Sequence, residues 1–341
     1  MEFNPKLTKS LSKYLQKLDE NIYFSDFCNQ FLNRKIDLLD GQDPKEELLK
    51  EIKKSLPDNE FNFLNEKLTL SIQKQDPKIY ASNWFITTLN KKECFIGDCE
   101  LGSETISRGE MFLCDDIHSS PSKYYEEVIS IGYFDKDVEY PSIRQNGKKW
   151  MSIVPHEIAS MERPIKEANR NVLVLGLGIG YYALSVAKKS NVKSVTVIEW
   201  SQSIIDIFNK FIAPCFRESN KIKIIKGDAF KSYETMQESF DYCFADIWFN
   251  ESDGLVAYSR LKRNEKIPTS YWMEAGILAF LRRITLICID SILNDYTANF
   301  DESLNKIVSQ ILRKLSKKKT IDESDLEKLL SDEGLKELLI N

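Results

Sequence analysis

Three glycines and one carboxylate stand at spacings that suit a nucleoside. In Asn171-Val-Leu-Val-Leu-Gly176-Leu-Gly178-Ile-Gly180-Tyr-Tyr182, a buried-strand pattern runs into a glycine-rich turn and then into a helix. Glycine at such a turn lets the backbone approach a ligand closely, and the start of the helix leaves N–H groups free. Glu199 follows Gly180 by nineteen residues (199 minus 180), at the end of the next strand, where a carboxylate can accept from both ribose hydroxyls. The dinucleotide pattern G-x-G-x-x-G would need a glycine at Tyr181, whereas G-x-G-x-G fits at 176, 178 and 180. A tyrosine there hinders a pyrophosphate, so the turn suits an adenosine ligand that lacks one. Asp246 is the residue best placed for chemistry. An acid at the carboxyl end of a parallel strand points into the ligand crevice, where it can orient a cation or take a proton from a nucleophile. The same position also suits a helix N-cap.

Other side chains carry two readings each. Trp248 stacks on a substrate as readily as it packs, and His156 and Glu157 fit a helix start better than the crevice mouth. Tyr181 and Tyr182 begin a helix, with core packing the default and ligand cover the alternative. Asn250 is either a substrate donor or ordinary loop chemistry. Only two histidines exist, which disfavours histidine-rich metal centres and Ser-His-acid triads. Cys94, Cys99, Cys114 and His118 lack the paired C-x2-C spacing of zinc knuckles, so no metal is expected. Cysteines 28, 94, 99, 114, 215, 243 and 288 are odd in number and mostly within apolar runs, a pattern of reduced thiols that points to a cytoplasmic protein.

The 341 residues include 47 basic and 52 acidic side chains, a net charge of -5. That balance gives no broad nucleic-acid footprint. The strip Arg313, Lys314, Lys317, Lys318 and Lys319 reads as one solvated helix face. Met1 to Glu20 alternates lysines and leucines, unlike a signal peptide, and no run approaches the length needed to cross a bilayer.

The elements that must hold these residues fall into four expected regions. Residues 1–80 read as helical, with Leu7, Leu11, Leu15 and Leu18 at helical spacing and a helix start at Asp43-Pro44 that runs to Leu56-Pro57. Residues 81–154 read as a small antiparallel β domain whose clearest turn is Asn146-Gly147. Residues 155–300 alternate strands and helices, giving an α/β, Rossmann-like, mostly parallel sheet with helices on both faces. Residues 301–341 read as C-terminal helices with a capping box at Thr320 and Glu323. After Asp246 no fifth strand or closing antiparallel hairpin is evident. Tyr271 to Leu293 reads as one apolar helix, with Thr285 to Asp290 an alternative strand.

The glycine turn and the acid that closes the second strand resemble class I S-adenosylmethionine-dependent methyltransferases. Gly227-Asp228-Ala229 looks like that family's adenine-contacting turn, and Asp241-Tyr-Cys-Phe-Ala-Asp246 looks like its fourth strand. The four motifs span about a fifth of the chain. The resemblance implies S-adenosylmethionine as cofactor, bound by Gly176, Gly178, Gly180, Glu199, Trp200, Asp228, Ala229 and Asp246, with Asp246 also catalytic. The preceding β region and the lead-in Lys149-Trp-Met-Ser-Ile-Val-Pro-His-Glu-Ile158 are similar to the spermidine synthase branch. Asp246-Ile247-Trp248 is similar to a signature of bacterial and phage methyltransferase-like proteins. Departures are specific. Ile179 stands where aminopropyltransferases carry an Asp, Phe249 replaces the second acid of their D-x-x-D-type motif, and Val174 replaces the acid that many methyltransferases place before the first glycine.

Methyl transfer to a small-molecule or peptidic acceptor is therefore the first functional expectation. An aminopropyltransferase-like enzyme is the second, disfavoured by Ile179 and Phe249 because a polyamine cation needs opposing charge. A nucleotide-binding or assembly module without catalysis is the third, and a homo-oligomer is left open.

Overall fold

A computed structural model describes residues 2–3, 5–34, 38–39, 41–120, 124–317 and 320–340. Lys318 and Lys319 of the basic strip lie outside them. The site is positioned by a sheet built from the alternating pattern of the middle region. Its strands are β1 (Arg170–Leu175), β2 (Val192–Glu199), β3 (Ile222–Lys226), β4 (Tyr242–Ala245) and β5 (Thr269–Tyr271). All are parallel, in the order β3-β2-β1-β4-β5. Val172 to Leu175 and Tyr242 to Ala245 are buried throughout, as expected for strands covered on both faces. The covering helices are α1 (Pro155–Glu167), α2 (Tyr181–Ala187), α3 (Gln202–Ile207), α4 (Ala229–Met236), α5 (Glu251–Arg263) and α6 (Glu274–Leu293). α3 continues in wider π geometry over Phe208–Ile212.

One reading of the sequence is corrected here, and of the two left open for Thr285 to Asp290 the helix holds. A fifth strand does exist, in register with β4 through Cys243↔Thr269 and Ala245↔Tyr271. Thr285 to Asp290 lies wholly inside α6. No antiparallel hairpin closes this sheet among the described residues.

Upstream, four antiparallel strands lie in the order Lys148–Ser152, Val138–Gln145, Cys99–Ile106 and Cys94–Ile96. The turn at Asn146-Gly147 has both residues at positive φ (51° and 74°), which two-residue hairpins of right-handed twist require. Asp43 caps its helix through the N–H groups of Lys45 and Glu46, and that helix ends at Ser55. Ile72–Lys74 is not helical: it pairs in parallel with Ile131–Tyr133, stitching the N-terminal helices to the β region. The apolar interior falls into two clusters: Leu11, Tyr14 and Leu18 pack in one with Leu335 and Leu339 at the other end of the chain, while Phe24, Leu48, Leu64 and Leu68 pack in a second with Met111 and Ile131. The C-terminal capping box sits two residues later than the sequence suggested, at Asp322 and Asp325, because Thr320–Ile321 pairs with Glu2–Phe3.

Candidate active site

Between the carboxyl ends of β1 and β4 the strand order reverses, and a parallel sheet opens a crevice at such a point. A cavity of about 380 Å³ lies there, within the range of small-ligand sites. Gly176 and Gly178 line it from the turn after β1, Glu199, Trp200 and Ser201 from the end of β2, and Gly227, Asp228 and Ala229 from beyond β3. Asp246, Ile247, Trp248 and Phe249 follow β4, while Gln145, Trp150 and Met151 of the antiparallel hairpin form the remaining wall. The hairpin contribution was invisible in the motif pattern. A larger cleft of about 860 Å³ lies toward Arg260 and Lys306, but it takes no residue from the glycine turn or from Glu199.

The glycines differ in purpose. Gly176 has φ +92°, and a side chain there would overlap the Asp246 carbonyl, so the two strand ends can approach only because this residue has none. Gly180 does not line the cavity. It faces Phe208, whose ring occupies the space of a side chain, and this helix-to-helix contact explains the glycine without a ligand.

Glu199 is 6% exposed yet lines the cavity. Its Oε2 accepts from the Leu177 N–H (2.9 Å) and its Oε1 from the Ser201 N–H (2.7 Å), which ties the glycine turn to β2. One further acceptor position remains on each oxygen. Asp228 caps α4 by accepting from the Lys231 N–H (2.9 Å), so part of its acceptor capacity is already used. Trp200 is 77% exposed at the cavity rim.

Asp246 is not an N-cap. Asn250 caps α5, accepting from Ser252 and Asp253, while Asp253 returns bonds to the Phe249 and Asn250 N–H groups. The Asp246 carboxylate has no hydrogen-bond partner among the described residues. Burial first, and then repulsion from Glu157, Glu199 and Asp116, holds it well above the usual carboxylate range. Burial likewise pushes Glu157 up to about 7, with His156 opposing and Asp116 adding to the rise. His156 Nε2 lies 2.8 Å from Asp116 Oδ1. Burial lowers the imidazole pKa, but Asp116 outweighs it and the net shift is upward. A cation entering beside Asp246 would relieve like-charge repulsion already present in the fold.

The remaining residues have structural surroundings. Trp248 is 5% exposed and packs on Gly254 and its helix, with its indole N–H unpartnered among the described residues. Tyr182 stacks on Phe244 at 3.9 Å, and Tyr181 packs against Phe85. Ile179 is 2% exposed in the core rather than on the cavity wall. Cys94 and Cys99 share a hairpin, whereas His118 belongs to a separate two-stranded sheet. No cluster of three metal-ligating side chains occurs among the described residues. None of their helices is long and apolar enough to cross a membrane.

Residues 151–260 match the spermine/spermidine synthase domain family, a segment that contains the glycine turn, Glu199, Asp228 and Asp246. A polyamine aminopropyltransferase of Oceanobacillus iheyensis is 23% identical over 203 residues, covering 54% of this chain and 38% of the relative. Another, from a Hydrogenobaculum species, is 25% identical over 136 residues, covering 38% and 48%. The chain therefore spans less than half the length of these relatives. The spermidine synthase structure from Thermotoga maritima aligns with a TM-score of 0.31 at 15% identity, covering 42% of this chain and 55% of that one. A spermidine synthase bound to the transition-state analogue AdoDATO gives 0.30, also at 15% identity and with the same coverage. Apart from Gln145 and Trp150, the cavity lining falls within the segment that matches this family.

Proposed function

We propose that this chain transfers an aminopropyl group from decarboxylated S-adenosylmethionine to an amine. The observation that carries the reading is the charge of the cavity. Its lining includes three carboxylates, Glu199, Asp228 and Asp246, and no Lys, Arg or His. A sulfonium is favoured in such a cavity. The α-carboxylate of S-adenosylmethionine itself would enter it with no cationic side chain to meet, at a desolvation cost that the decarboxylated donor avoids. The polyamine aminopropyltransferases among the relatives support the same choice. Methyl transfer, the first expectation from sequence, is therefore placed second. The two departures that had disfavoured amines weigh less, since Ile179 is buried in the core and two further acids stand near Asp246: Glu157, from the lead-in segment, and Asp116, which no motif marked.

The donor supplies an electrophilic carbon next to a cationic sulfur and leaves as a neutral thioether. Glu199 would hold the ribose hydroxyls, and the glycine turn would leave room for the backbone to approach. Asp246 would hold the attacking amine and take the proton that its nitrogen loses, a task helped by a raised pKa. In-line attack makes catalysis here mainly a matter of position.

Calorimetry with the two donors tests this. The decarboxylated form should bind at least roughly tenfold more tightly, a difference of about 1.4 kcal/mol, and amine should then release methylthioadenosine. Tighter binding of S-adenosylmethionine would restore the methyl-transfer reading. No binding of either would leave the non-catalytic module.

A further inference from the structure

We infer that the acceptor is an amine with one cationic head and an apolar or aromatic remainder, not a diamine; this rests on the transfer reading above. Of the three carboxylates in the cavity, two are partly engaged by the protein: Glu199 accepts from Leu177 and Ser201 and keeps its remaining positions for the ribose, and Asp228 accepts from Lys231 on one oxygen. Asp246 alone has no partner among the described residues and sits at the inner end, after β4. Asp116 and Glu157 add their charge at the same place, so opposing charge is concentrated around one head group rather than spread along a chain.

Outward from Asp246 the lining is apolar. Phe249 is 69% exposed and Trp200 77% exposed, and Trp150, Met151, Ile247 and Phe230 fill the rest of that wall. Isolated exposed aromatics are ordinary, but two on the rim of one cavity form a surface that gains by covering.

The acids nearest the rim are already held. Asp253 accepts from Phe249 and Asn250 with one oxygen each, and Asp98 accepts from Gln145, Ser203 and Cys99. The recess beyond Trp200 also contains Lys226, which repels a cation. A second ammonium at the far end of a chain would thus meet ring faces and, in that recess, a lysine beside an aspartate whose oxygens already accept three bonds. An exposed ring face attracts it much less than a free carboxylate would. An alkyl or aryl tail would instead bury apolar surface on the rim.

The test is amine binding to the full chain with methylthioadenosine present, followed by calorimetry so that no turnover is needed. Hexylamine and phenethylamine should bind at least tenfold more tightly than 1,4-diaminobutane or 1,5-diaminopentane. Phe249→Asp, at an exposed side chain, should narrow or invert that ratio by about tenfold. Equal or tighter diamine binding by the unaltered chain would overturn the inference, as would a ratio unmoved by Phe249→Asp or no amine binding at all. The transfer reading fails separately, when neither donor binds.

Discussion

Each Glu199 oxygen takes one backbone N–H and keeps room for one more proton, which matches the paired hydroxyls of a ribose. Glu199→Ala should therefore weaken adenosyl-ligand binding by about 1.5–3 kcal/mol, the scale of hydrogen bonds to a charged group. Unchanged affinity in a folded variant would remove this cavity from consideration. Glu157 makes a prediction about stability. Its carboxyl titrates near 4.5 when unfolded and is pushed up to about 7 in the fold by burial. The raised value means that folding favours the protonated form. The associated stability is complete below about pH 4.5 and is lost as pH rises through 7. Glu157→Gln mimics the protonated acid, so the two proteins should melt together at pH 4 and diverge above it. By pH 8 the variant should be the more stable, by at most about 3 kcal/mol. Thermal melts across that range read the difference directly, and a constant gap at all pH values would contradict it.

At the scale of elements, β1 to β4 were legible because each is a short apolar run beside a helical pattern, and burial on both faces leaves such runs continuous. β5 was not. Its three residues, Thr269, Ser270 and Tyr271, follow Pro268 and precede Trp272, too short a stretch for any period to emerge. It is a strand because Cys243 to Ala245 offers an open edge in register. Gly176 and Gly180 were read together as a ligand turn, yet one clears the Asp246 carbonyl and the other clears Phe208. Spacing reveals that a side chain is not tolerated, but not what stands in its way. The hairpin wall of the cavity was hidden for a related reason. Gln145, Trp150 and Met151 reach it only through the packing of the antiparallel sheet against α3 and the glycine turn, a long-range contact that local sequence does not encode. The same holds for Asp116, whose charge meets Asp246 from 130 positions away (246 minus 116).

Over the whole molecule, α6 is the strut that joins the parts. It packs against α5 on the Rossmann side, and its two arginines reach outward to regions distant in sequence. Arg283 Nε donates to Glu127 (2.8 Å), within the short strand pair that carries His118. Arg282 is 4% exposed. It donates to the Leu330 carbonyl (2.8 Å), the Ser119 hydroxyl (2.6 Å) and Asp332 (2.6 Å), and its guanidinium lies 4.2 Å from the centre of the Tyr125 ring. Burial lowers its pKa while Asp332 opposes that effect, so the charge is held by its partners rather than by water. Arg282→Met keeps much of the stem's packing but leaves the Leu330 carbonyl and Ser119 without their donor. Asp332 is more than half exposed and can return to water. The expected cost is about 2–4 kcal/mol, below the loss of a fully buried pair because one partner regains solvent. Since Leu330 and Asp332 belong to the C-terminal helices, hydrogen exchange there should accelerate first, while β1 and β2 and donor affinity stay close to those of the unaltered chain. Uniform acceleration throughout would mean that the C-terminal helices and the sheet unfold as one unit, with Arg282 supporting the whole fold rather than this junction.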